Sequence, residues 1–300
     1  MVERVADPAG DRAPPGLPHF VVIGAMKSGS TSLYRWLAQQ PDLFLAPKEV
    51  NFFSRDAVWE RGLDWYRHLY APALASQLRG DVSPHYVNPD TGRTAARRMA
   101  ELVPEARLVL VARHPVERLR SHYRHEVQKS RETRSLVDAL QVPGNPYTRR
   151  SMYYANLLPY LEHYERDQIC VVRFEDLFEP GSPGWPVVLR HLGVPNRPCP
   201  ATAHNVTADK PHHTPALRWL RDSGGLDVLL RFPGPVRRAG KALLTRSADE
   251  SAERLERSRA PLPDSITDPI WEDVDRLEKL MGIGQPLWAR LPSEGKAAER

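Results

Sequence analysis

The chain has 300 residues, 41% of them hydrophobic, so it is long enough to bury a substantial core. Its two cysteines exclude a disulfide framework, and no Cys/His cluster has the spacing of a zinc site. The net charge of +5 favours anionic ligands without choosing among a nucleotide, a nucleic acid and a membrane surface. No stretch approaches the roughly 18 apolar residues of a membrane span. The first residues also lack the features of a signal peptide, so we expect a cytoplasmic protein.

Residues 1–17 are rich in Pro, Gly, Asp and Arg without periodicity, which predicts a disordered leader. A strand, a loop and a helix are predicted next, over residues 20–37. The β-branched run that begins at Val21 ends at Gly24, and apolar residues return at helical spacing after Thr31. The free N–H groups at the start of this helix and the nearby Lys27 would suit a phosphate-type anion.

The loop between this strand and helix nearly matches the Walker A pattern G-x-x-x-x-G-K-S/T. Gly24 and Gly29 have the required separation, and Thr31 stands at the Ser/Thr position. Ser30 occupies the lysine position, however, and Lys27 lies nearer the crest of the loop. The bound anion therefore need not be a magnesium-bound phosphate of ATP, and a Gly/Ser turn that binds nothing remains the plain alternative.

A charged pair, Lys48 and Glu49, is followed at once by Asn51 and the aromatic pair Phe52 and Phe53. The aromatic residues would hold the pair against the edge of the core, where burial raises the pKa of a carboxylate toward that of a general base. A solvated surface pair is the alternative. We expect residues 56–79 to form one packing helix, since Trp59, Leu63, Tyr66 and Leu69 are near helical spacing.

A short strand ending in a turn is predicted near residues 80–90, and it carries His85, a second candidate base. A structural histidine beside a proline turn is the alternative. The apolar run from Arg107 to Ala112 predicts another strand, which leads directly to Arg113 and a helix containing Ser121. Ligands of parallel sheets bind at the carboxyl ends of strands. An ATPase would place an aspartate there to hold magnesium, so Arg113 favours direct phosphate binding without a metal.

The remaining segments predict an α/β protein with a P-loop-like central parallel sheet and helices on both faces. We expect a single domain over residues 18–290, a flexible tail over 291–300, and substrate-loop insertions at about 128–150 and 196–260. A short helical piece is expected at 136–140, and a terminal helix near 271–281. The basic, apolar stretch 226–246 is suited either to lie on a membrane surface or, as a helix or lid, to pack on the sheet.

These motifs resemble the sulfotransferases that use 3′-phosphoadenosine 5′-phosphosulfate (PAPS). The segment GAMKSGSTSL is similar to the family's 5′-phosphosulfate loop, and RHPVERLRSHY to its 3′-phosphate motif, an arginine followed eight residues later by a serine. The segment KEVNFF is similar to that of heparan-sulfate-type and related bacterial enzymes. The resemblance covers residues 19–288 and is weakest between 196 and 263.

The resemblance implies a role for each matching residue. Arg113 and Ser121 would hold the 3′-phosphate, Glu49 would be the base, and Lys48 would help to neutralise the transferring group. One departure is that Val82 stands where heparan-type enzymes tend to carry a lysine, which keeps His85 open as an alternative base. The 5′-phosphosulfate would be held by Lys27, Ser28, Gly29, Ser30, Thr31 and Ser32.

The implied reaction is metal-independent, in-line transfer of a sulfuryl group from PAPS to a hydroxyl or amine. The acceptor would be a carbohydrate, a lipid or a small natural product, and peripheral membrane contact stays open. A P-loop kinase or NTPase is the alternative; the displaced lysine and the missing strand-end aspartate oppose it. A non-catalytic nucleic-acid-binding protein would need a basic patch interleaved with exposed aromatic residues. No such module is visible, so no nucleic-acid partner is expected.

Overall fold

The computed structural model describes residues 16–178, 181–198 and 253–290. Its central feature is a sheet of five parallel strands in the order β2-β3-β1-β4-β5. Helices flank the sheet and lie in the connections between strands, as parallel pairing requires. The predicted α/β class with a parallel sheet is confirmed. The strands are β1 (Phe20–Gly24), β2 (Leu43–Leu45), β3 (Leu78–Val82), β4 (Arg107–Ala112) and β5 (Ile169–Arg173).

Ten helices of the described part are labelled here in chain order. They are α1 (Ser30–Leu37), α2 (Asp56–Trp59), α3 (Leu63–His68), α4 (Gly92–Leu102), α5 (Pro115–Gln128), α6 (Leu136–Gln141), α7 (Pro146–Arg149), α8 (Tyr153–Leu161), α9 (Gly184–Leu192) and α10 (Asp264–Met281). Residues 253–257 are also helical. The strand, loop and helix predicted over residues 20–37 are confirmed, as are the helical piece near 136–140 and the terminal helix, which begins at Asp264.

The single helix predicted over residues 56–79 is wrong. The structure has two short helices there, α2 and α3, and the segment ends in strand β3, which begins at Leu78. Gly62 separates the two helices with φ 84° and ψ 165°, a conformation outside the helical region that glycine adopts without a steric penalty. Of the four residues whose spacing suggested the helix, Tyr66 is buried and Trp59, Leu63 and Leu69 are half-buried, and the spacing carried no information about this break.

The chain divides into two compact units. The first comprises Met1–Pro115, Met152–Asn205 and Trp271–Ala289, and it contains the whole sheet. The second comprises Val116–Ser151, Val206–Ile270 and Arg290–Arg300. The single domain expected over residues 18–290 stays a prediction. The predictions for residues 1–15 of the leader, 199–252 within the second insertion and 291–300 of the tail lie outside the described residues.

Strand β1 lies at the centre of the sheet, and all five of its residues are buried. A central strand of a parallel sheet is covered on both faces, which explains its continuous apolar run. Val22 pairs with Val82 at the end of β3, and Gly24 pairs with Leu110 of β4. The carboxyl ends of these three neighbouring strands therefore open on one edge of the sheet, where ligands of this fold class bind.

The described part of the second unit is held together by a polar cluster. The buried Arg118 donates from Nε to Ser151 Oγ (2.7 Å) and from a terminal nitrogen to the Tyr147 carbonyl (2.5 Å). The Tyr147 hydroxyl in turn donates to Glu132 (2.9 Å). Hydrogen bonds from Arg134 lower the pKa of Glu132 to about 2, so this carboxylate is ionised throughout the physiological range.

Candidate functional site

The loop between β1 and α1 turns on a glycine. Gly29 caps α1 with φ 81°, a left-handed conformation. A Cβ atom at this position would lie 2.5 Å from the Phe178 ring and 2.8 Å from the Phe174 ring, closer than atoms can pack. Lys27 also has a positive φ of 71°, which an L-residue adopts only where its surroundings impose it. The surrounding loop therefore holds the backbone of Lys27 in the left-handed region.

The polar groups of this loop fit a bound anion. Ser28 is fully buried, and in the described structure its hydroxyl oxygen has no hydrogen-bond partner. The first N–H groups of a helix lack an acceptor one turn earlier. In α1, the Ser32 and Leu33 N–H groups donate to the Gly29 carbonyl (2.9 and 3.0 Å), so the N–H groups of Ser30 and Thr31 are the ones that an anion would engage. Ser30 and Ser32 are buried beside them. An oxygen-rich anion would satisfy the Ser28 hydroxyl and the N–H groups together.

Arg113 directly follows β4, as predicted, and its backbone is fixed by a tyrosine. The Tyr153 hydroxyl donates to the Arg113 carbonyl (2.7 Å) and accepts from the Arg113 N–H (3.2 Å). The Arg113 guanidinium lies 5.1 Å from the centre of the Phe174 ring. Because the same ring limits the space at Gly29, the Arg113 guanidinium and the loop between β1 and α1 both lie against one aromatic side chain.

The residue after Arg113 is also held by a side chain. The His114 N–H donates to Glu175 Oε1 (2.9 Å), and the Trp288 indole donates to Glu175 Oε2 (3.0 Å). Sequence analysis missed Tyr153, Glu175 and Trp288. The only signal was the position of Glu175 just beyond β5, at the same edge of the sheet.

Lys48 and Glu49 form an ion pair through Lys48 Nζ and Glu49 Oε1. Their side chains are 22% and 41% exposed, so the pair lies at the edge of the core. The expected rise in the pKa of Glu49 is wrong: burial acts to raise the pKa, but the hydrogen bond and charge of Lys48, with the charges of His85 and Arg55, lower it below the ordinary value. A solvated carboxylate beside a cation stays ionised, and here burial is too shallow to reverse that.

His85 lies close enough to Glu49 for its charge to act on that carboxylate. The Asn88 side-chain nitrogen lies 3.1 Å from His85 Nδ1 and orients the ring. Glu49, Lys48 and His85 thus form one cluster beyond the end of β3. Ser121 is buried on α5, in the second compact unit, and its role stays a prediction.

Two features are absent from the described ranges. Within residues 16–178, 181–198 and 253–290, no group of three or more His, Cys, Asp or Glu side chains is arranged to hold a metal ion. In the same ranges, no helix has both the length and the apolar character needed to cross a membrane.

The sheet is parallel, a Gly/Ser-rich loop joins its central strand β1 to helix α1, and Arg113 follows the neighbouring strand β4. These features define a P-loop-like α/β protein. Within that class, residues 18–198 match the family model described as "Sulfotransferase family", and the chain belongs to this family.

Similar proteins agree with this family. The chain is 34% identical over 113 residues to heparan sulfate glucosamine 3-O-sulfotransferase 6 of Homo sapiens, covering 38% of this chain and 32% of that protein. It is 30% identical over 169 residues to heparan sulfate glucosamine 3-O-sulfotransferase 3B1 of Mus musculus, covering 54% and 42%. The matches thus span less than half the length of these curated relatives.

A solved structure extends the likeness over most of the fold. The crystal structure of a sulfotransferase from Alicyclobacillus acidocaldarius superposes with a TM-score of 0.61 at 25% identity. The superposition covers 91% of this chain and 99% of that chain.

Proposed function

We propose that this protein transfers a sulfuryl group from PAPS to a hydroxyl or amine of a carbohydrate, lipid or small natural-product acceptor. The observation that carries the proposal is the shared contact of two anion-binding elements with Phe174. The loop at Gly29 and the Arg113 guanidinium both meet this ring, so one molecule with two anionic groups is able to reach both. Membership of the sulfotransferase family supports the same donor.

The donor supplies an activated sulfuryl group, and the protein supplies binding and charge. Arg113 would pair with the 3′-phosphate. Lys27 would stabilise the charge that develops on the leaving phosphate oxygen. The buried Ser28 hydroxyl, which has no partner in the described structure, would donate to the 5′-phosphosulfate. The first N–H groups of α1 and the hydroxyls of Ser30, Thr31 and Ser32 complete this set.

Glu49 is the proposed base. Its lowered pKa keeps the carboxylate ionised at neutral pH and therefore able to accept the proton of the acceptor hydroxyl as the new S–O bond forms and the bond from sulfur to the leaving phosphate oxygen breaks. Lys48, paired with Glu49, would also neutralise charge on the transferring group. His85, in the same cluster, is the alternative base.

The first test is calorimetric titration with the donor product, 3′-phosphoadenosine 5′-phosphate, against AMP. We expect the 3′-phosphate to strengthen binding by 10-fold or more, because an arginine–phosphate pair contributes about 1.5–3 kcal/mol. Equal binding of both nucleotides, or no binding of either, would contradict the proposal.

The second test is transfer of labelled sulfate from PAPS to a panel of oligosaccharides, fatty alcohols, phenols and amines. The names of two relatives specify heparan sulfate glucosamine, so amino-sugar oligosaccharides belong first in the panel. Hydrolysis of ATP with magnesium, without transfer from PAPS, would favour an NTPase instead.

A further inference from the structure

Asp81, on β3, is a fully buried carboxylate to which no step above assigns a role. Three hydroxyl groups donate to it: Tyr66 (2.8 Å) and Tyr86 (2.7 Å) to Oδ2, and Ser83 (2.7 Å) to Oδ1. Burial raises the pKa of Asp81, and the three hydroxyls act to lower it. All three hydroxyls are donors to this carboxyl group, so their protons point toward it.

This orientation leaves the Ser83 oxygen free to act as an acceptor on its other side. The Asn51 N–H donates to Ser83 Oγ at 3.1 Å. The Asn51 side-chain amide then donates to the Glu49 carbonyl at 2.8 Å. A chain of hydrogen bonds therefore leads from the core carboxylate Asp81, through Ser83 and Asn51, to the backbone of the proposed base.

The backbone of this segment is strained. Glu49 has φ 63° and Asn51 has φ 55°, both in the left-handed region that L-residues avoid. Such a conformation is unfavourable for a residue like glutamate, and it persists only where the surroundings impose it. Besides the Asn51 bonds, the Glu49 N–H donates to the Val82 carbonyl (3.0 Å), so the segment is tied to β3 at two points.

The aromatic residues that follow hold the segment from the other side. Phe52 is buried and stacks on Tyr66, with ring centres 4.1 Å apart and planes 3° apart. Tyr66 is also one of the donors to Asp81. The Asp81 carboxylate thus orients two residues that contact the strained segment. Ser83 accepts from Asn51, and Tyr66 stacks on Phe52.

We propose that Asp81 and Ser83 are positioning residues for Glu49: the carboxylate fixes the Ser83 hydroxyl as an acceptor, and Ser83 holds the Asn51 turn that presents Glu49 to the acceptor. The inference rests on the proposed function, since it assigns Glu49 the proton transfer. A purely structural role would change the stability of the fold alone. A positioning role should lower turnover through Glu49 and leave the affinity for the donor unchanged.

The test compares Ser83→Ala with Ser83→Thr, which keeps the hydroxyl, and with Tyr70→Phe as a matched control. Tyr70 donates to the Tyr66 hydroxyl at 3.1 Å, so its loss loosens the same buried cluster at a point away from Asn51. We expect Ser83→Ala to lower kcat about 10-fold or more, with the affinity for 3′-phosphoadenosine 5′-phosphate and the donor KM within about twofold of the parent chain. Ser83→Thr should restore most of kcat, and Tyr70→Phe should lower Tm and leave kcat in place.

The pH profile supplies a second readout. If the segment loosens, the Lys48–Glu49 pair loosens with it, and the acidic limb of kcat/KM should move to higher pH in Ser83→Ala but not in Tyr70→Phe. A parent-like kcat and pH profile in Ser83→Ala would overturn the inference, whatever happens to Tm. If Ser83→Ala does not fold, Asp81→Asn takes its place, with the same expected loss of kcat and the same contradicting outcome. Absence of sulfate transfer by the parent chain would instead count against the proposed function.

Discussion

The two strands that flank β1 present charged residues at the same edge of the sheet by different means. Beyond β4, Arg113 is the next residue in the chain, and its backbone is fixed by Tyr153. Beyond β3, the charged residue is Glu49, which comes from a separate segment and is tied to the strand end by hydrogen bonds. The proposed phosphate-binding role of Arg113 requires only a defined strand end. The proposed base, Glu49, would have to meet the acceptor, and it lies on a strained segment that a buried hydrogen-bond network holds.

The largest expected effect comes from changing Glu49, the charged residue beyond β3, and leaving Arg113 beyond β4 intact. Glu49→Gln keeps the size of the side chain and removes its basicity, so kcat for sulfate transfer should fall by about 10²- to 10⁴-fold. Calorimetry should show binding of 3′-phosphoadenosine 5′-phosphate unchanged. Glu60→Gln, at an exposed position beyond α2, is the matched control. Retained turnover in Glu49→Gln would move the assignment of the base to His85.

A pH effect on stability is expected on the β4 side. Asp273 accepts hydrogen bonds from the N–H groups of Tyr154 and Ala155 (both 2.9 Å), at the start of the helix that carries Tyr153. Burial raises its pKa to about 6 in spite of these bonds. The folded-state pKa lies above the unfolded one, so the contribution of Asp273 to stability is complete below about pH 4 and is lost as the pH rises through about 6.

The corresponding change in the free energy of unfolding is about 3 kcal/mol. Urea unfolding at pH 4.5 and pH 7.5 should therefore show a smaller pH dependence in Asp273→Asn than in the parent chain. The same dependence in both proteins would show that this carboxylate does not titrate as described.

Arg113→Ala should weaken donor binding beyond β4 and leave Glu49 beyond β3 unchanged. Loss of a charge-assisted pair with the 3′-phosphate should weaken binding of 3′-phosphoadenosine 5′-phosphate by about 10- to 100-fold and leave AMP binding unchanged. Arg97→Ala, which removes an exposed arginine paired with Glu101, is the control for net charge. A parallel loss of AMP affinity would mean that Arg113 supports the nucleotide site in general and does not recognise the 3′-phosphate.

The smallest expected effect comes from removing the hydrogen bonds that fix the backbone of Arg113 beyond β4. Tyr153→Phe removes the hydroxyl that bonds both backbone groups of Arg113, so affinity for 3′-phosphoadenosine 5′-phosphate should fall by about 2- to 10-fold. Tyr154→Phe, at the next position, should bind as the parent chain does. Equal affinities in the two variants would show that the tyrosine hydroxyl does not position the guanidinium.

Local patterns predicted most of the sheet. Strands β1 and β4 follow from apolar runs, and β3 overlaps the segment where a short strand ending in a turn was predicted, whereas β2 has only three residues and gave no pattern. The helix predicted over residues 56–79 failed because one glycine, Gly62, adopts a conformation that periodicity does not report. Spacing thus indicates that a segment packs against the core, but it does not locate the ends of its elements.

The residues of the candidate site also differ in how far the sequence predicts them. Arg113 directly follows strand β4, and Lys27 lies in the loop that follows strand β1, so a local motif predicted both. Asp81 and Ser83 were missed because their partners Tyr66 and Asn51 lie 15 and 32 residues away in the chain. The only available signal was an acidic residue inside a strand with a buried end. The direction of the pKa shift of Glu49 was wrong because the balance between burial and a neighbouring lysine depends on the depth of the side chain, which the sequence does not give.

The Phe174 ring would limit the donors that the proposed site accepts. It lies 5.1 Å from the Arg113 guanidinium and leaves no room for a side chain at position 29, so it stands between the two elements that are proposed to bind anions. A nucleotide that carries its second phosphate on the 2′ carbon instead of the 3′ carbon would hold its two anionic groups at a different separation and angle. The protein should therefore distinguish positional isomers of equal charge by geometry alone, with a rigid aromatic ring as the spacer.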